Sequence, residues 1–260
     1  MTGFIRHPLA RLCCMPALML SLVHPAAAAC ARDAMLVLDG SASMAEVGHD
    51  PAAPTRIIEA RSALRLAMPQ IAPLRRVGLL VYGPGGADAC SGIDLRFGPV
   101  ADAAEPVIAG AQALQPGGLT PIAASVLAAA QALDYRARSG IVVLVTDGNE
   151  TCGGRPCALG AALMTKARDL TVHVIGFRVN VDFFGWNTPE QESYGEGRTV
   201  AKCLADRTGG KYVSTDTVDE LVAALRETLG CAVIGASRRA APLEPVTAHE
   251  NTPAIVDRGA

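Results

Sequence analysis

Ala34-Met35-Leu36-Val37-Leu38-Asp39-Gly40-Ser41-Ala42-Ser43 is the stretch that decides the fold. Its first five residues are apolar and uncharged. A run of this kind that ends on an acid and a glycine reads as a buried parallel strand stopping at a tight turn. In open α/β sheets, ligands sit outside the carboxyl ends of the strands. The turn therefore puts one carboxylate and two hydroxyls at the functional edge. Such hard oxygen donors suit Mg²⁺, Mn²⁺ or Ca²⁺ rather than zinc or copper. Asp, Gly and Ser also serve turns through local backbone hydrogen bonds, so the string by itself equally describes a solvated turn.

Two later stretches tip that balance. Gly117-Gly118-Leu119-Thr120-Pro121-Ile122 precedes a helical pattern, and Val142-Val143-Leu144-Val145-Thr146-Asp147-Gly148 is a second apolar strand ending in Asp-Gly. Together they offer Asp39, Ser41, Ser43, Thr120 and Asp147 at the ends of neighbouring elements on one sheet edge. Pro is favoured in the first helical turn, so the reading also makes Thr120 an N-cap. A cap tolerates Thr→Asn and a ligand hydroxyl does not.

With these three parts in order, the chain resembles a von Willebrand factor type A domain with a complete metal-ion-dependent adhesion site. The resemblance runs from about Ala31 to Leu229. It is similar in detail to secreted bacterial members, through Asp147-Gly148-Asn149-Glu150-Thr151-Cys152 and Thr208-Gly209-Gly210-Lys211-Tyr212. It implies a Rossmann-like, doubly wound α/β fold with a mostly parallel central sheet. It also implies hydroxyl ligation by Ser41, Ser43 and Thr120, with Asp39 and Asp147 acting directly or through water. A protein partner's Asp or Glu carboxylate would complete the shell of a Mg²⁺, Mn²⁺ or Ca²⁺ ion. The family brings the domain termini together, which makes Cys30–Cys231 the favoured disulfide; closing so long a loop stabilises by several kcal/mol in the chain-entropy picture.

The 260 residues are 50% hydrophobic, 4% aromatic and carry a formal charge of −2. That accommodates one α/β domain of about 200 residues with flanks, with a core of Ala, Val, Leu and Ile. The charge argues against an electrostatic nucleic-acid binder. Residues 1–29 have the pattern of a secretory signal: Arg6 and Arg11, the apolar Leu18–Val23, and the small residues Ala26–Ala29. The apolar part is shorter than the roughly 20 residues of a membrane span. Losing two arginines and no acid moves the formal charge from −2 to −4. The expected location is periplasmic or secreted. Lipid attachment at Cys30 is disfavoured by Ala27, where lipoprotein signals carry a larger aliphatic residue. Six cysteines remain after the leader: Cys30, Cys90, Cys152, Cys157, Cys203 and Cys231. An even number in an exported chain points to disulfides of open pairing. Cys152 and Cys157, spaced C-x4-C, lack the second ligand pair that zinc requires.

The remaining pattern gives a helix from Arg56, capped by Thr55 and ended by Pro69 and Pro73; a strand at 76–82; a Gly-rich loop at 83–92 without a phosphate-binding ending; and an edge strand at 94–100. Helices follow at 103–114 and from Thr120 to about Tyr135, then a strand at 140–146 and a helix at 157–169. A strand at 171–177, a helix at 199–208, a strand at 211–214 and a helix at 217–229 complete the domain, which spans 30–232. His49, Asp50, Asn149 and Glu150 are candidates to rim the site; for His49 and Asp50 a solvated loop is the better reading. Residues 178–197 lack periodicity and carry Phe183, Phe184 and Trp186, a candidate partner-contact patch. Residues 233–260 read as a disordered tail.

Metal-dependent protein binding, without enzymatic activity, is the expected function. The rivals are a metal-dependent hydrolase or phosphatase and a structural domain with a metal-stabilised loop edge. Against hydrolysis, no lysine or second acidic cluster accompanies the site, and His173 lies within a strand.

Overall fold

Strand β1, Asp33–Asp39, lies at the middle of the sheet because all but its first residue are buried. The computed structural model describes residues 31–47, 52–179 and 200–231. In chain order a 3-10 turn at Ala42–Ala45 follows β1, then α1 (Arg56–Ile71), β2 (Val77–Tyr82), β3 (Ile93–Val100), α2 (Ala104–Ala113) and α3 (Ile122–Ala132). The remainder is β4 (Ser139–Thr146), α4 (Pro156–Lys166), β5 (Asp169–Phe177), α5 (Val200–Arg207), β6 (Tyr212–Thr215) and α6 (Val218–Thr228).

The six strands are ordered β3-β2-β1-β4-β5-β6. All neighbours pair in parallel except β2 and β3, which are antiparallel. This is the doubly wound, mostly parallel α/β sheet that the apolar runs predict. Alternation along β1 builds both faces. Ala34, Leu36 and Leu38 point into one core with α1, α2 and α6. Met35 and Val37 point into the other with α3, α4 and α5. Each fully buried aliphatic side chain of this kind contributes about 1.5–3 kcal/mol. The winding reverses between β1 and β4, so a crevice opens where their carboxyl ends part. Asp39 and Asp147 stand at those two ends.

Several element ends differ from the sequence reading. Pro69 lies inside α1, which runs on to Ile71; a proline in the last turn forfeits one helical bond without breaking the rod. Thr55 is the α1 N-cap, but its side chain makes no cap bond. Helix α4 stops at Lys166, and Asp169 opens β5, where pairing with Ser139 fixes the register. Helix α6 has a full capping box between Thr217 and Glu220.

No helix among the described residues is long and apolar enough to cross a membrane. The expected leader, Cys30, His49, Asp50, the aromatic patch of Phe183, Phe184 and Trp186, and the tail lie outside the described residues. Cys231 is held in a disulfide, and Cys30, its expected partner, is among those left outside.

Candidate functional site

The turn after β1 is built by its own aspartate. Asp39 Oδ1 accepts the Ser41 backbone N–H at 2.8 Å, and Gly40 N–H donates to Tyr82 O at 2.8 Å. Asp39 Oδ2 accepts from the Tyr82 hydroxyl at 2.7 Å and from the Thr146 hydroxyl at 2.7 Å. The Asp39 carboxylate, 0% exposed, is thus held by three neutral donors, from the turn after β1, from β2 and from β4. Burial, and after it the Asp39 charge, pushes the Tyr82 phenol well above its ordinary value, so Tyr82 stays a proton donor.

A second set of bonds joins Ser41, Ser43 and Asp147. The two serine hydroxyls are 3.0 Å apart, and Ser43 Oγ donates to Asp147 Oδ1 at 2.7 Å. Asp147 Oδ2 faces Arg56 Nη1 at 3.2 Å. The same Nη1 reaches Ser43 O at 2.9 Å and Glu46 Oε2 at 3.2 Å. Burial first, and the Asp39 charge second, raises the Asp147 carboxyl to about 7, against the opposing pull of the Ser43 hydrogen bond and the Arg56 charge.

Thr120 reaches this edge through backbone pairing. Gly117 N–H donates to Gly40 O at 2.8 Å, and Ala42 N–H donates to Gly118 O at 3.2 Å. Thr120 N–H donates to Thr151 Oγ1 at 2.9 Å, while Thr151 N–H returns a 3.1 Å bond to Thr120 O. Two glycines permit this approach. At Gly83, φ is +113°, and a Cβ would stand 2.5 Å from Ser41 N. At Gly118, φ is +71°, and a Cβ would collide with the Gly83 carbonyl at 1.9 Å.

The expected capping role of Thr120 is corrected. Pro121 occupies the N-cap of α3, and the Ala123 N–H goes to Glu150 Oε2 at 2.9 Å. Glu150 Oε1 accepts Cys152 N–H at 2.8 Å. Glu150, expected to rim the site, is buried and spends both oxygens on backbone. Asn149 Oδ1 is buried without a hydrogen-bond partner. His173 sits in β5, where its Nδ1 accepts the Lys211 N–H at 3.0 Å. This structural position fits its reading as a core or edge residue.

Cys90 pairs with Cys152, and Cys157 with Cys203. The first bond ties the Gly-rich β2–β3 loop to the loop that carries Asp147. The second ties α4 to α5. Both C-x4-C thiols are thus consumed, which removes the zinc alternative. The sequence reading missed the roles of Arg56, Tyr82 and Thr146. Thr146 directly precedes Asp147 at the end of an apolar strand, a visible signal. Arg56 gave one also: a cation in the first turn of a helix stands at the dipole end that disfavours it.

The donor set fits a hard divalent cation. Asp39 and Asp147 are buried together, with a single buried guanidinium beside Asp147. When both carboxylates are ionised the three groups sum to one uncompensated negative charge, which is costly in a dry site. Ser41 and Ser43 add hydroxyl oxygens at the same edge. Among the described residues, no three His, Cys, Asp or Glu side chains gather into a metal cluster, so a cation here would depend on the hydroxyls.

The sequence model of the von Willebrand factor type A domain matches residues 34–150. An uncharacterised protein of Bacillus subtilis strain 168, YwmD, is 33% identical over 109 residues, covering 41% of this chain and 42% of that protein. This chain thus spans less than half the length of that relative. Among solved structures, the pilus adhesin SpaC from Lactobacillus rhamnosus GG superposes with a TM-score of 0.57 at 15% identity, over 76% of this chain and 30% of that one. An aerotolerance-related membrane protein from Bacteroides fragilis gives 0.51 at 17% identity, over 76% and 98%. The PilB minor pilin from Streptococcus sanguinis gives 0.52 at 13%, over 76% and 60%. At these identities the structures speak for fold alone. The described domain has the von Willebrand factor type A fold.

Proposed function

We propose that this domain is a divalent-cation-dependent protein-binding module that works outside the cytoplasm. The observation that carries the reading is the set at the β1/β4 crevice: Asp147 hydrogen-bonded to the Ser43 hydroxyl, Ser43 to the Ser41 hydroxyl, and Asp39 held by the Ser41 N–H, so that two buried carboxylates share an edge with two hydroxyls and a single guanidinium. Asp39, Ser41, Ser43, Thr120 and Asp147 would hold the ion. A bound Mg²⁺ or Mn²⁺ would supply a Lewis-acidic position for a partner's Asp or Glu carboxylate. Tyr82, Thr146 and the Ser41 N–H fix Asp39. Ser43 donates its hydroxyl hydrogen bond to Asp147, which leaves the serine oxygen available as an acceptor. The Cys90–Cys152 bridge restrains the loops on either side.

Adhesin and pilin domains of the same fold support a role in protein interaction, and two disulfides suit an oxidising compartment. No described His or Lys stands against Asp39 or Asp147 as a base, so binding without catalysis is the better reading. Titration calorimetry of the purified chain with Mg²⁺ and Mn²⁺ tests it. Saturable binding that disappears in Asp147→Ala is expected. The absence of binding in the wild-type protein, with or without added acetate as a carboxylate, would overturn it.

A further inference from the structure

Arg56 is the described cation built into this edge, and helix stability does not account for it. It opens α1, where the helix dipole disfavours positive charge. Its side chain is 4% exposed, and its Nε is buried without a hydrogen-bond partner. Buried groups left unsatisfied in this way point to a role other than packing. Its Nη1 is instead shared among Ser43 O, Glu46 Oε2 and Asp147 Oδ2. Glu46 is largely exposed, with 66% of its side chain accessible, so water screens that contact. Asp147, with a side chain 0% exposed, is the desolvated partner.

We propose that Arg56 is a resident counter-cation that competes with the divalent ion for Asp147 and sets the charge of the occupied site. The inference rests on the metal reading above. The guanidinium neutralises one of the two carboxylates and holds Asp147 Oδ2, while Ser43 holds Oδ1. With a divalent ion added, two carboxylates and one guanidinium leave a net charge of +1 at a dry edge. That surplus favours an anionic ligand in the open position and disfavours a neutral one. Without Arg56, two carboxylates and a divalent ion would sum to zero, so the ion would bind more tightly and demand less of a partner's charge. Arg56 thus exchanges cation affinity for selectivity toward anionic partners.

The test is Mn²⁺ titration calorimetry on the full chain, with and without acetate, for wild type, Arg56→Lys and Arg56→Gln. Urea unfolding checks that each variant is folded. Arg56→Gln is expected to bind Mn²⁺ about tenfold more tightly, as removal of a neighbouring like charge requires, and to lose most of the acetate enhancement seen in wild type. Arg56→Lys keeps the charge and is expected to retain wild-type affinity and acetate response. Binding by Arg56→Gln where wild type shows none, with or without acetate, overturns both, because the wild-type site would then take no ion. A folded Arg56→Gln that binds Mn²⁺ equally or more weakly, while wild type binds, overturns the inference and leaves the metal reading intact. Absence of saturable binding in all three proteins overturns both.

Discussion

Strand β1 begins and ends on an aspartate, and the two are treated in opposite ways. Asp33 meets two guanidinia, Arg138 at 2.9 Å and Arg76 at 3.7 Å, each more than half exposed. Arg32 and Asp169 pair at 3.3 Å close by. Charge at this end is balanced by flexible groups that water also solvates, an arrangement worth about 0–1 kcal/mol per pair. Asp39, six residues on, is fully buried and held by a backbone N–H and two hydroxyls. Its nearest acidic neighbour, Asp147, carries the consequence as a carboxyl raised to about 7. The same side chain is structural where its countercharge comes from the surface. It becomes a candidate site where neutral donors fix it and burial leaves the local charge unmatched.

The largest expected effect comes from loosening the buried end. Replacing Cys90 and Cys152 together by serine opens a link between residues 62 apart in sequence. The chain-entropy estimate puts the loss at about 4 kcal/mol. Urea unfolding checks it, and an unchanged midpoint would show that backbone pairing alone holds these loops. Next, Asp39→Ala strands three donors that the carboxylate satisfies. It should destabilise the metal-free protein by about 3 kcal/mol, whereas Asp33→Ala should cost about 1 kcal/mol or less. Equal losses would erase the contrast between the two strand ends.

pH sharpens the same comparison. A carboxyl raised from 3.8 to about 7 in the folded state binds more protons than its unfolded counterpart between those values. Its contribution is therefore full below about pH 4 and is lost as pH rises through 7. In chelator, wild-type stability should fall relative to Asp147→Asn across that window, read from denaturant midpoints at each pH. His173, away from the crevice, should give an effect of opposite sign and smaller total size. Burial first, then the charges of Lys211, Arg32 and Arg75, lowers its pKa from 6.5 to about 4. Its contribution is complete above pH 6.5 and is lost as pH falls toward 4. His173→Gln should remove that opposing rise, so that the fall in stability between about pH 4 and 6.5 steepens, and an unchanged profile would mean that the ring is hydrated in the fold.

Much of the architecture was legible because buried strands announce themselves. Ala34–Leu38 and Val142–Val145 are uninterrupted apolar runs, and each stops at an acid followed by glycine. Those two features placed both aspartates at one sheet edge. Ends of elements were less legible. Pro69 looked like a terminator but is carried inside α1, since one missing bond in a final turn is tolerable. Thr120 looked like a cap, but Glu150, distant in sequence, reaches α3 first.

The sequence by itself determined the alternation of strands and helices, the positions of Asp39, Ser41, Ser43, Thr120 and Asp147 along the chain, and the oxygen-rich character of their donors. These follow from periodicity and local chemistry, which act over a few residues. Only the tertiary structure decided which groups share charge and protons. Tyr82 and Thr146 converge on Asp39 from two neighbouring strands, Arg56 comes to Asp147 from across the sheet edge, and Cys90 finds Cys152 rather than a closer thiol. Such partners are chosen by where the folded backbone brings desolvated groups together, and strand order and register fix that.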